Sequence, residues 1–252
     1  MKELHPIDLL FNKLKDISTY PDGVVPVPEC IEGTAFFPGG AGLWGTQPNH
    51  SLPPMPLGQV LILGQDFHSE VKYRRSLANR RENLKGPTWR NLLCLLKEVS
   101  IRPQACFFSN VYMGLREGNA KVTGPFPGAR SPDFVRQCQT FLAYQIATQR
   151  PRLILTLGVY VPSVIALLSA DLGGWANCKQ FRPLDVHGPP MLPTVHFREP
   201  INVRATVAAL THPSFWHLCV RGRSYGSLHG REAELQMLRE AIMRSGIHGS
   251  SP

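Results

Sequence analysis

The sequence lacks most of the spacings that give a function away. Its six cysteines (Cys30, Cys94, Cys106, Cys138, Cys178 and Cys219) form no Cys-x-x-Cys pair, and at least three fall in apolar segments. That excludes the spacing of a zinc module and argues for reduced thiols in a cytosolic setting rather than a disulfide scaffold. Neither a P-loop nor a His-Glu-x-x-His pattern is present, so two common enzyme chemistries have no motif to stand on. The N-terminal MKELHPIDLLFNKLKDI mixes charges into its apolar positions, and no export signal is expected. Residues 153–170 run for 18 positions without a charge, the length of a membrane span. Gly158 and Pro162 divide that run, so a buried strand, turn and helix is expected instead.

Acidic residues are also scarce: 18 Asp and Glu stand against 27 Lys and Arg, a net charge of +9. The surplus favours an anionic partner. Nucleic acid ranks ahead of a membrane surface, because no basic amphipathic helix or lipidation signal occurs. A chain of 252 residues, 43% hydrophobic, can bury a core unaided. Gly and Pro make up about 18% of it, well above the roughly 12% of an average protein, so long structured loops are expected.

Residues 1–58 read as an extension, with a short amphipathic helix (Leu10, Leu14, Ile17) followed by Pro/Gly-rich stretches. From Gln59 the pattern becomes short apolar runs alternating with helical periodicity. VLIL, ACFF, LILTL and TVAAL are the runs, and the intervening helices put Trp89, Leu92, Leu93 and Leu96 on one face, then bury Phe134, Cys138, Phe141 and Leu142. The order β-α-β-α-β-α-β-α predicts a three-layer α/β/α sandwich over residues 59–245, built on a mainly parallel four-stranded sheet, with a flexible tail at 246–252.

In such a sheet ligands bind beyond the carboxyl ends of the strands. The residues after the runs are Gly64-Gln65-Asp66-Phe67-His68, Ser109-Asn110-Val111 and Thr211-His212-Pro213-Ser214-Phe215-Trp216. A carboxylate, a carboxamide and an imidazole are thereby predicted to meet on one rim. The stretch 72–90 adds Lys72, Arg74, Arg75, Arg80, Arg81, Lys85 and Arg90, a loop suited to DNA phosphates as well as to plain solvation.

GQD after the first strand, Asn after the second and HPS after the last resemble the uracil-DNA glycosylase superfamily, over roughly residues 59–242. Connecting segments (GPTWRNLLCLLKEVSI, FFSNVYMG, SPDFVRQCQTFLAYQI, RPRLILTLG, THPSFW) resemble the branch that carries an iron–sulfur cluster. The resemblance implies a monofunctional DNA glycosylase that flips a pyrimidine out of single- or double-stranded DNA and hydrolyses its N-glycosidic bond, leaving an abasic site. Asp66 would position water and stabilise the oxocarbenium ion, and His212, neutral, would donate to the pyrimidine O2. Asn110, with Gln65 and Phe67 beside the pocket, would read the base. Trp216 and Phe215 would wedge the vacated stack or else pack inside, and Ser214, Gly86 and Pro87 would meet phosphate.

This chain departs from the branch in ways that shape the expectation. Gly114 stands where a cluster cysteine would be, Cys30 is single, and only Cys138 falls at a matching place, so no cluster, metal or other cofactor is expected. Phe67 and His68 replace the Pro and Tyr that follow the Asp in the best-known motif, where the Tyr excludes thymine's methyl group. Uracil is the default substrate from the resemblance, and the missing block makes a hydroxymethylated or glucosylated cytosine of viral DNA, excised in defence, the alternative. A DNA-binding module of the same fold without catalysis is a third reading. A cytoplasmic monomer acting on DNA, away from membranes, is expected.

Overall fold

The computed structural model describes residues 5–45, 52–121 and 123–247. In chain order the elements are α1 (Pro6–Leu14), β1 (Val24–Val25), β2 (Val60–Gly64), α2 (Glu70–Ala78), α3 (Pro87–Glu98), β3 (Cys106–Asn110), β4 (Leu115–Arg116), α4 (Pro132–Gln149) and β5 (Leu153–Leu157). They continue with α5 (Val161–Ile165), α6 (Phe181–His187), β6 (Met191–Phe197), β7 (Val203–Leu210), α7 (Trp216–Cys219), β8 (Ser224–Tyr225), β9 (Leu228–His229) and α8 (Gly230–Ser245). The fold is mixed α/β around a five-stranded, mostly parallel sheet of order β3-β2-β5-β7-β6. Among the described residues no helix is long and apolar enough to cross a membrane.

The strands are buried on both faces, which is why they read as unbroken apolar runs. Leu61 and Leu63 point into a core shared with α1, α4 and α5, whereas Val60 and Ile62 point into one shared with α3 and α8. Every residue of β2, β3 and β5 is buried.

The sheet has five strands rather than the predicted four. The fifth, β6, lies in the stretch 171–200 that looks irregular in sequence, and it pairs antiparallel to β7 at the edge. Its ladder shifts register between Leu192 and Val195, around Pro193. A proline at a bulged edge breaks the alternation by which a strand is recognised. The predicted loop at 72–90 is likewise a helix, α2, over its first part; EVKYRRSLA buries only Tyr73, so it has almost no apolar stripe to read.

The N-terminal segment is built into both cores. Ile7 and Leu10 of α1 pack in the α4 core, and Phe36 and Phe37 divide between the two. Phe37 N–H donates to the Phe108 carbonyl at 2.9 Å and Phe108 N–H to Gly42 at 2.8 Å, so this segment covers the β3 edge. Of the predicted tail 246–252, residues 248–252 lie outside the described residues.

Candidate active site

Because β3, β2, β5 and β7 run parallel, their carboxyl ends form one rim. Gly64 of β2 pairs with Asn110 of β3, and Leu157 of β5 with Leu210 of β7. Asp66, Asn110 and His212 are thus delivered to the same sheet edge from three strands, as the sequence predicts. Beyond β2 and β3 the pairing continues: Val111 N–H donates to Gly64, Tyr112 to Gln65 and Arg116 to His68, at 2.9, 3.0 and 3.1 Å.

Asp66 does not stand alone. Arg116 Nε donates to its Oδ1 at 3.2 Å and Nη2 to its Oδ2 at 2.9 Å, with side chains only 8% and 4% exposed for Asp66 and Arg116. Burial pushes the Asp66 carboxyl up from its ordinary pKa, and the guanidinium opposes that rise. Arg116 Nη1 also donates to the carbonyls of Lys121 and Pro125, and Nη2 to that of Gly124.

His212 caps the short 3-10 turn Pro213–Phe215, and its Nδ1 accepts the Ser214 N–H at 3.2 Å. A neutral ring that accepts at Nδ1 carries its proton on Nε2. Burial, with His68 close by, pushes the His212 pKa down to about 4. The ring is therefore a neutral Nε2–H donor near pH 7. His68 is itself pushed down to about 4 by burial, with Lys72 adding. Gly158, at φ +87°, lies beside His212, where an added Cβ would come 3.2 Å from the histidine Cβ.

Asn110 is 2% exposed, and its Nδ2 makes a long 3.4 Å bond to the Phe37 carbonyl. Its Oδ1 presses on Gly64, where a Cβ would sit 2.4 Å away, so the strand end needs glycine there. Phe67 is buried rather than open: its ring tip fills the space against Gly39 and lies edge-on to Tyr73 at 5.3 Å. Gln65 is partly buried beside it.

The segment after His212 is tied to α3. Ser214 Oγ and Thr88 Oγ1 lie 2.5 Å apart, and Asn91 Nδ2 donates to the Pro213 carbonyl at 2.8 Å. Gly86 and Pro87 open α3 at the same place, with no side chain capping its N-terminus. Trp216, a wedge candidate in sequence, is instead anchored: its indole N–H donates to Glu234 Oε1 at 2.9 Å, and Arg231 lies over its ring. Phe215 and Leu218 are the exposed apolar tips, 42% and 72% accessible. Lys72, Arg75, Arg80, Arg81, Lys85 and Arg90 are exposed without an ion-pair partner among the described residues, whereas Arg74 pairs with Glu70 at 2.7 Å.

Two residues of the site escaped sequence reasoning, Arg116 and Glu234, because a cation in a Gly-rich loop and a Glu on an amphipathic helix give no signal; His68 was named with Asp66 but given no role. Gly222-Arg223-Ser224-Tyr225-Gly226 has the spacing of a serine-hydrolase elbow. Ser224, however, starts the hairpin strand β8 and its N–H is held by Asp185, not at a strand-to-helix turn. Among the described residues no group of three or more His, Cys, Asp or Glu side chains is arranged to hold a metal ion. No known family model and no curated protein matches the chain.

Proposed function

We propose that the chain is a monofunctional DNA glycosylase, a three-layer α/β/α sandwich of the uracil-DNA glycosylase type acting in the cytoplasm. The observation that carries this reading is the Ser214 N–H bond to His212 Nδ1, which leaves the ring proton of the neutral imidazole on Nε2. A neutral imidazole presenting Nε2–H at the rim that holds Asp66 and Asn110 suits a leaving pyrimidine, whose O2 gains negative charge as the C1′–N1 bond breaks. The bond electrons leave with the base. Water then bonds to C1′, and its proton passes to the departing base or to solvent. Asp66 faces the positive sugar; each of its oxygens takes one bond from Arg116 and keeps acceptor capacity for that water.

The exposed cations of α2 and the turn before α3 suit phosphates, and Phe215 with Leu218 suits the gap left by a flipped nucleotide. Uracil is the default substrate. A 5-substituted cytosine is the alternative, supported by position 68, where His68 stands in place of the Tyr that would block a C5 group.

The test is a panel of duplexes carrying uracil, hydroxymethylcytosine or glucosylated hydroxymethylcytosine, cleaved with alkali after incubation with the protein. Scission is expected on one of them, without a borohydride-trapped adduct and without inhibition by EDTA. DNA binding with no scission on any base would replace this reading by that of a catalytically silent binder.

A further inference from the structure

We infer that Arg116 is a positioning residue for the hydrolysis: its fork fixes the Asp66 carboxylate in one orientation and favours its charged form inside the rim. The inference rests on the glycosylase reading for its purpose, but not for its geometry.

Arg116 has nothing left to give a substrate. A guanidinium has five N–H bonds. Here Nε goes to Asp66, Nη1 to Lys121 and Pro125, and Nη2 to Asp66 and Gly124. Its backbone is equally committed, with the N–H on His68 and the strand paired to β1 at Val24↔Arg116. The Phe126 ring lies 5.5 Å from the guanidinium carbon. Toward the rim Arg116 therefore acts through Asp66, as a two-point clamp that a lysine could not reproduce, while its other three bonds hold the Lys121, Gly124 and Pro125 carbonyls.

The other ionisable groups around Asp66 do not supply that charge. Tyr112, from the segment after β3, is pushed up to about 12 by burial, with Cys138 and Asp66 adding, and stays neutral. His68, on the same segment as Asp66, is neutral near pH 7, and Lys72 of α2 is exposed. Without Arg116, burial of the carboxyl is unopposed, and Asp66 takes up a proton at higher pH.

The experiment is a titration of Asp66 by carboxyl ¹³C NMR in wild type and Arg116→Met, with the resonance assigned by its loss in Asp66→Asn, beside pH–rate profiles for base release. The Asp66 midpoint should rise by about one pH unit or more in Arg116→Met, and the acid limb of base release should move with it, partly recovering at high pH. Arg116→Lys should give a smaller rise, and it supplies the comparison if Arg116→Met does not fold. An unchanged midpoint in a folded variant, or a fall in rate that is uniform across pH, would overturn the inference. Absence of base release by wild type would remove the glycosylase reading and leave the titration to judge the clamp by itself.

Discussion

Arg223 and Arg116 are both buried and both grip carboxylates, yet one network is closed and the other ends at the rim. Arg223 bridges Asp185 and Glu234, with side chains 1%, 0% and 0% exposed. Glu234 also takes the Thr211 N–H and hydroxyl and the Trp216 indole, so it fastens the chain on both sides of His212. Every oxygen there has a partner. Asp66 takes both of its bonds from Arg116 alone and lies just beyond a strand end, with acceptor capacity left on each oxygen. The closed network holds shape, whereas under the proposed function the open pair faces a ligand.

Arg223→Met strikes the closed network and should give the largest loss of stability. Two buried carboxylates would lose their cation, a cost of about 3–5 kcal/mol, read as a fall in Tm on the order of 10 °C. Acid tests the rim instead. His68 and His212 are depressed in the folded protein, so the unfolded chain binds the extra protons as pH falls. Stability is fully present above about 6.5 and is lost as pH falls toward about 4, by on the order of 3 kcal/mol for each imidazole. Urea titrations of wild type and His212→Asn across that window would check this, and a flat profile would contradict it.

Trp216→Phe removes a single donor from Glu234 and should cost about 1–2 kcal/mol in thermal unfolding. A Trp216 that acted as a DNA wedge would instead cost affinity at unchanged stability. The smallest stability effect belongs to Lys85→Ala and Arg75→Ala, within about 0.5 kcal/mol. Each should flatten the salt dependence of DNA binding by about one unit of slope, measured by fluorescence anisotropy at several salt concentrations.

The parallel strands were legible because a strand buried on both faces has to be apolar throughout, as VLIL and LILTL are. The rim followed from that, since the ends of parallel strands share an edge. β6 was hidden by Pro193 and its bulge, and α2 by a helix face that buries only Tyr73. The partner of Asp66 was hidden by distance, because Arg116 lies 50 residues further along and a cation in a glycine-rich loop reads as solvated. Trp216 was ambiguous, since an aromatic after HPS suits a wedge until Glu234, 18 residues later, claims its indole.

The central claim is that His212 donates from a neutral ring to a departing base. Single-turnover base release by wild type and His212→Ala, on whichever duplex of the panel is cleaved and with the DNA fully bound, tests it most directly. The rate should fall about 10²–10³-fold in the variant at unchanged DNA affinity. Equal rates for the two proteins would contradict the account.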